Sequence, residues 1–341
     1  MVNGLAGLKP LQGRRVLELC GLLPCPLMGL LLSDLGAEAL KIEGPKGDLV
    51  CKVPPFAFGK GLMYHALNRG KATLTLDLSR ADGRKRILDL VKTHDILLEG
   101  FRPGVMEAMG IGPEVLARTN PDLLIVRMSA FGQDADRPAH DLNLVGITGA
   151  LGISDSMAPL PLQVADMTSA VLGALSVLAA VMEGRRGIID LPLIMGAHLA
   201  SFPLYTRFTQ PGDLNTENLL LEGGYPLYRM YRTMDGHRVS IAAIEPKFVQ
   251  RVMAVTGIQN PETQELSTWF KSHKLDEIIQ AFSNTPACVE PVLQPWEAAN
   301  HPAMKAMFAP LTDGDRTFLL PLTPFADPKT VPDGPWVTCE P

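Results

Sequence analysis

Short apolar runs alternate with amphipathic stretches along the first two thirds of the chain. The segments Val16–Leu19, Pro26–Gly36 and Ala37–Glu43 predict a strand, an apolar helix and a second strand. Such a βαβ unit favours a parallel sheet with a right-handed crossover. The turn after the first strand lacks a GxGxxG pattern, which disfavours a plain dinucleotide-dependent dehydrogenase. The pattern therefore predicts an α/β fold without the dinucleotide fingerprint.

The same alternation continues beyond this unit. Strands are predicted at ATLTLDL, DILLEG and LLIVRMSAFG, with helices near Arg84–Val91 and Pro113–Arg118 between them. Arg69, Lys71 and Arg102 fall in loops beside these strands. Ligands of open α/β sheets bind beyond the carboxyl ends of the strands, where basic groups can pair with phosphate. Each cation taken alone is more readily explained as a solvated surface residue.

A long apolar run, Met167–Met182, predicts a tightly packed interior helix. The run lies between Asp166 and Glu183 and falls short of the roughly 20 residues that a membrane span requires. Asp166 is predicted at the helix N-cap, where the helix dipole favours its anionic form. A carboxylate there can also act as a base or nucleophile, and His140, earlier in the chain, is a second group able to transfer protons.

The pattern of apolar and polar residues changes at about Gly223. Two alternating runs flank the turn Asp235-Gly236, which indicates a hairpin. Helical patterns follow it, at Pro246–Thr256, Glu262–Ser272 and Leu275–Phe282. We predict a large α/β domain over residues 1–222 and a small α+β domain over residues 223–310. The proline-rich segment 311–341 has little periodicity and is expected to return to the large domain.

Composition narrows the class of protein. The 341 residues are 46% hydrophobic and 20% charged, enough for a sizeable core, and the net charge of -5 argues against a general nucleic-acid binder. The five cysteines form no CxxC pair and predict reduced thiols in a cytoplasmic protein. No zinc-type ligand spacing occurs, so no metal is expected. The N-terminus does not resemble a signal peptide, and we expect no membrane partner.

A series of segments, in a fixed order over nearly the whole chain, resembles one family. They are LSDLGAEALKIEGPKGD, NRGKATLTLDL, ILLEGFRPGVMEAMGIGPEVL, NPDLLIVRMSAFGQ, AHDLNLVGITGALG, LPLQVADMTSAV, LEGGYPLYRMYRTMDG, AAIEPKF and ACVEPVL. Together they resemble the class III CoA-transferase (CaiB/BaiF) family, and within it most closely the alpha-methylacyl-CoA racemases.

The resemblance implies a Rossmann-like large domain, a smaller α+β domain and an interlocked homodimer. It implies an acyl-CoA substrate, with coenzyme A bound as part of that substrate and no separate cofactor. Its catalytic groups fall on His140, Asp166 and Glu245. Its CoA-binding positions fall on Lys41, Arg69, Lys71 and Arg102.

Three functions are compatible with these residues. The first is a lipid-metabolism racemase that inverts the α-carbon of 2-methyl-branched acyl-CoA thioesters by 1,1-proton transfer through an enolate, with Glu245 supporting the imidazole of His140. The alternative is CoA transfer between carboxylic acids through an aspartyl anhydride at Asp166. The sequence ADMTSA and Ala139 resemble transferases, whereas His140 and the IEP segment are racemase features. The third is an acyl-CoA-binding homologue without activity.

Overall fold

The computed structural model describes residues 5–153, 157–213, 219–328, 331 and 338–339. The chain divides into two compact units, which we describe separately. The first comprises Met1–Phe202 and Pro302–Pro341, and the second comprises Pro203–His301.

The strands and helices are numbered in chain order. The strands are β1 (Arg15–Leu19), β2 (Glu38–Glu43), β3 (Phe56–Ala57), β4 (Lys60–Gly61), β5 (Ala72–Thr75), β6 (Ile96–Glu99), β7 (Leu124–Arg127), β8 (Gly187–Asp190), β9 (Tyr228–Arg232), β10 (Arg238–Ala242), β11 (Val289–Pro291), β12 (Phe308–Asp313), β13 (Arg316–Pro321) and β14 (Thr338–Cys339). The helices are α1 (Pro24–Asp34), α2 (Leu62–Asn68), α3 (Ala81–Val91), α4 (Val105–Ala108), α5 (Pro113–Thr119), α6 (Asp141–Ile147), α7 (Val164–Glu183), α8 (Leu193–Ala200), α9 (Phe202–Tyr205), α10 (Pro246–Thr256), α11 (Thr263–Lys271), α12 (Leu275–Ser283) and α13 (Pro295–Ala298).

The first unit is built on one parallel sheet, in the order β14-β5-β2-β1-β6-β7-β8. From β5 to β8 this is the strand order of a Rossmann-type doubly wound sheet, and the order reverses direction between β1 and β6. Helices cover both faces. The adjacent residues Val16 and Leu17 of β1 therefore enter two different hydrophobic cores, one on each side of the sheet. The predicted α/β class with a parallel sheet is confirmed.

The long apolar helix α7 differs from its prediction in two ways. It begins at Val164 with Gln163 as N-cap, so Asp166 is its third residue and the predicted N-cap is wrong. Its 20 residues also reach the length and apolarity of a membrane span, so the argument from its length is wrong. About 39% of the most apolar 18-residue stretch of α7 is buried, and the buried side of the helix packs on α1 and α8.

The second unit contains the three-stranded antiparallel sheet β11-β10-β9 and the helices α10, α11 and α12. The predicted hairpin around Asp235-Gly236 is confirmed, with Arg232 opposite Arg238. The rings of Tyr231 and Phe270 stack at 4.9 Å between centroids in the core of this unit.

The C-terminal segment has more order than its composition indicates. β12 and β13 form an antiparallel hairpin, which the sequence pattern did not predict, and β14 pairs with β5 at the edge of the large sheet. Leu311 and Leu320 of the hairpin pack in a small core with Ala57.

Two cysteines depart from the expected reduced state. Cys20 and Cys25 form a disulfide that closes the loop between β1 and α1, whereas Cys51 and Cys288 are free. The prediction of reduced thiols is therefore wrong for this pair. The loop closed by the disulfide leads directly into the candidate site.

Candidate active site

A cavity of about 340 Å³ lies where the strand order reverses. It is lined by the loops that follow three parallel strands: Gly21, Leu22, Pro24 and Cys25 after β1, Gly100 to Pro103 after β6, and Met128 to Ala130 after β7. His140 and Asp166 also line it. The crevice at this reversal is the usual ligand site of doubly wound folds.

His140 and Asp166 come from the starts of two helices. His140 is the exposed N-cap of α6, and its backbone N–H donates to Asn143 Oδ1 at 3.1 Å. Asp166 lies in the first turn of α7. Both residues line a second, mostly apolar cavity of about 530 Å³ whose other walls include Leu23 and Met63. The structure therefore brings these two predicted residues together.

Asp141 sets the surroundings of Asp166. The backbone N–H of Asp166 donates to Asp141 Oδ1 at 3.1 Å, so this N–H is not available to a developing enolate oxygen. Burial, together with the negative charge of Asp141 and against the influence of His140, raises the pKa of Asp166 to about 6. Burial and the charge of Asp141 therefore shift Asp166 towards its protonated form, opposite to the direction expected from the helix dipole. Sequence reasoning missed Asp141 even though it directly follows His140.

Glu245 belongs to the second unit. It is an exposed residue at the N-cap of α10, directly before Pro246. Its proposed partnership with the imidazole of His140 stays a prediction.

Lys41 and Lys71 are interior residues. Their side chains have no exposed surface and share the carboxylate of Glu18, with Nζ–Oε distances of 3.1 and 2.7 Å. Burial lowers the pKa of Lys71 to about 8, whereas the charges of Glu18 and Asp48 overcome burial and raise the pKa of Lys41. Neither ammonium is exposed to solvent in this arrangement, and the assignment of the two lysines as CoA contacts stays a prediction.

These lysines hold the loop that lines the candidate site. Lys41 Nζ donates to the carbonyl of Cys20 at 2.9 Å, and Lys71 Nζ donates to the carbonyl of Pro26 at 2.7 Å. Between these two points, the N–H of Leu22 donates to Asp48 Oδ1 at 3.2 Å. The ionic cluster therefore fixes the loop at three places.

The other two predicted cations differ in exposure. Arg69 is buried and donates to both carboxylate oxygens of Asp34, at 2.8 and 2.6 Å, so it too is a structural cation in this arrangement. Arg102 lies at the mouth of the 340 Å³ cavity, with 63% of its side chain exposed, and binds Asp136 at 2.8 Å. Of these four cations, Arg102 is the one whose side chain is largely exposed.

Two further cavities adjoin the site. One, of about 330 Å³, lies beyond the carboxyl ends of β1, β2, β5 and β6 and is lined by Glu43 to Pro45, Leu76 to Leu78 and Phe101. The other, of about 520 Å³, is an apolar groove between α1, α2, the first turns of α7 and residues 320–324. The groove shares Leu23 and Met63 with the 530 Å³ cavity, so the two are neighbours.

Known proteins share both the sequence and the fold. The model of CoA-transferase family III matches residues 11–331. The chain is 32% identical over 317 residues to alpha-methylacyl-CoA racemase of Homo sapiens, covering 85% of this chain and 80% of the relative. It is 30% identical over 300 residues to succinyl-CoA–D-citramalate CoA-transferase of Chloroflexus aurantiacus, covering 81% and 73%.

The solved structure of Rv3272 from Mycobacterium tuberculosis superposes with a TM-score of 0.78 at 24% identity, covering 93% of this chain and 92% of that one. The doubly wound parallel sheet, with a cavity at the reversal of its strand order, places the chain in the class of Rossmann-type α/β proteins. The chain belongs to CoA-transferase family III. Relatives with racemase names and relatives with transferase names both match it.

Proposed function

We propose that the protein is an acyl-CoA racemase or epimerase that inverts the α-carbon of 2-methyl-branched acyl-CoA thioesters. The observation that carries the proposal is the placement of His140 and Asp166 on one cavity, with the pKa of Asp166 raised to about 6. A carboxyl group with that pKa exists in both protonation states near neutrality and can therefore serve as an acid in one direction and a base in the other.

The reaction needs two proton transfers. His140 removes the α-proton and becomes an imidazolium, leaving an enolate on the thioester. Protonated Asp166 then delivers its proton to the opposite face of the same carbon, which gives the inverted thioester and an ionised Asp166. The reverse direction starts from Asp166 as base and the imidazolium as acid. Glu245 enters the proposal as the support of the imidazole, on the family resemblance alone.

The cavity walls favour an apolar acyl chain. Among the described residues that line the 530 Å³ cavity and the apolar groove, none is Lys or Arg, and the charged groups are confined to the His140–Asp166 end. A succinyl or citramalyl chain carries a free carboxylate that would lose its hydration there without a cation to pair with. This argues for a monocarboxylic acyl group.

The coenzyme A part of the substrate would occupy the two cavities at the carboxyl ends of the strands, with Arg102 at the phosphates.

We also propose a homodimer. The exposed side of α7 carries Met167, Val171, Leu175 and Met182, which are 46–87% exposed in the single chain. Such a contiguous apolar face is typical of a protein interface.

Proton exchange tests the proposal directly. Incubation of (2R)- or (2S)-2-methylacyl-CoA in heavy water should introduce deuterium at the α-carbon, detected by NMR, together with loss of optical purity. His140→Gln and Asp166→Asn should each reduce the rate of inversion, followed as loss of optical purity, by at least about a hundredfold, and each should slow exchange most for the enantiomer whose α-proton the missing group removes. Absence of exchange with every branched acyl-CoA tried would reject the racemase.

The second candidate is CoA transfer between monocarboxylic acids, with Asp166 as the nucleophile. The sequence ADMTSA around Asp166 and the transferase names among the relatives favour it. Here the carboxylate attacks the thioester carbonyl, releases CoA thiolate and becomes a mixed anhydride. Hydroxylamine would trap this anhydride as a hydroxamate on Asp166, detectable by peptide mass spectrometry, whereas the racemase forms no such adduct.

A further inference from the structure

The start of α6 contributes a carboxylate to the site in addition to the imidazole. Asp141 is the first residue of α6 and lines the 530 Å³ cavity with His140 and Asp166. Its Oδ1 accepts the backbone N–H of Asp166, which is 25 residues away in sequence, at 3.1 Å. This bond joins the first turn of α7 to the start of α6, the two places from which the candidate acid and base arise.

Among the residues that the structure describes, no Lys, Arg or His side chain forms an ion pair with Asp141. The carboxylate of Asp141 therefore has no counter-charge in this arrangement. The charged groups that face Asp166 are His140 and Asp141 from α6, with Arg102 and Arg137 across the adjoining cavity. Arg102 is engaged by Asp136, and the guanidinium of Arg137 lies 4.7 Å from the ring centroid of Phe131. Among the described residues, Asp141 is the negative group whose charge acts on the Asp166 carboxyl.

We propose that Asp141 is a positioning residue for the acid–base pair: its carboxylate holds the first turn of α7 beside His140 and places a negative charge next to Asp166, which favours the protonated form of that carboxyl group. The inference rests on the proposed function for its catalytic meaning. Its electrostatic part agrees in direction with the raised pKa of Asp166, to which burial contributes most and Asp141 next.

The Asp166 carboxyl can be titrated independently of any activity. In protein labelled with ¹³C at aspartate carboxyl carbons, Asp166→Asn identifies the signal. Asp141→Asn keeps an oxygen acceptor for the N–H but removes the charge. It should lower the titration midpoint of Asp166 by roughly one pH unit, while Asp141→Glu should retain most of the elevation. Asp276→Asn, in the first turn of α12, is the matched control and should leave the midpoint unchanged. An unchanged midpoint in Asp141→Asn overturns the inference.

The pH dependence of α-proton exchange supplies the functional half of the test. Asp141→Asn should move the acidic limb of kcat/KM to lower pH by a similar amount, because the pair then takes up its second proton at lower pH. A merely structural role would lower the rate at every pH and leave the limb in place, and that result would reject the inference. If the unmodified protein exchanges no proton, the proposed function fails while the NMR titration still decides the role of Asp141.

Discussion

The ammonium of Lys71 and the carboxylate of Glu18 form a 2.7 Å ion pair in which neither side chain has any exposed surface. The same carboxylate binds Lys41, and the two lysines hold the carbonyls of Cys20 and Pro26. A buried charge cluster therefore fixes the loop that lines the candidate site. Its removal should affect both stability and ligand binding.

We predict that Lys71→Met destabilises the protein by about 3–5 kcal/mol, because it leaves part of the Glu18 charge uncompensated in the interior. The free energy of unfolding is measured by urea denaturation with circular dichroism. Lys92→Met removes an exposed pair with Asp89 and should cost less than about 1 kcal/mol. Equal losses in the free energy of unfolding in the two variants would show that the buried ion pair contributes no more to stability than the exposed one.

Gly29 of α1 packs against this cluster. A Cβ at this position would overlap Glu18 Oε2 and lie 3.2 Å from Lys71 Nζ. Gly29→Ala should therefore destabilise the protein by roughly 1–3 kcal/mol, although alanine is the better helix former. Thermal unfolding measures the effect. Gly44→Ala, where a Cβ meets nothing within 4 Å, is the control, and a stabilised Gly29→Ala protein would contradict the packing argument.

Much of the architecture was predictable from local sequence. The βαβ alternation and the turn Asp235-Gly236 are properties of neighbouring residues, and the structure confirms both. The environment of each lysine was not predictable. Lys71 lies in a polar stretch and looks like a surface cation, but its partner Glu18 comes from a strand 53 residues earlier. Only the order of strands in the sheet brings such groups together.

In the candidate site, too, some features follow from local sequence and others depend on how the elements pack. The apolar run after Asp166 predicted the helix α7, although one side of that helix is exposed in the single chain, and the family resemblance pointed to His140 and Asp166. The bond from Asp166 to Asp141 depends on how α6 meets α7, which no local pattern encodes. Burial and the neighbouring Asp141 raise the pKa of Asp166, a shift opposite in direction to the one expected from its place at a helix start.

Asp166 should reduce the stability of the folded protein at neutral pH. Its pKa is raised from 3.8 to about 6, so folding disfavours the ionised form; the penalty is absent below pH 3.8, grows as pH rises to about 6 and is constant above that. Asp166→Asn should therefore be more stable by about 2–3 kcal/mol at pH 7.5, at about 1.36 kcal/mol per unit, and by much less at pH 4.5. Urea unfolding at both pH values measures the difference. A pH-independent gain would show that the charge is not its cause.

Arg102 should contribute to CoA binding, and Asp136 should not. Arg102→Ala is expected to weaken binding of free CoA about tenfold, because the exposed guanidinium is lost from the mouth of the cavity. Asp136→Ala releases the same guanidinium from its ion pair and should bind CoA at least as tightly as the unmodified protein. Isothermal titration calorimetry measures both. Unchanged affinity in Arg102→Ala would remove this residue from the proposed phosphate site.

The apolar side of α7 provides a test of the proposed dimer. Leu175 is 60% exposed in the single chain and lies on the same face as Val171. A glutamate there would place a charge in the proposed interface, so Leu175→Glu should lower the mass measured by light scattering after size exclusion from that of a dimer towards 36.9 kDa. Met234→Glu substitutes a residue that is 51% exposed, in the turn between β9 and β10, and should leave the mass unchanged. A monomeric unmodified protein, or a Leu175→Glu protein that keeps the dimer mass, would assign the exposed face of α7 to some contact other than self-association.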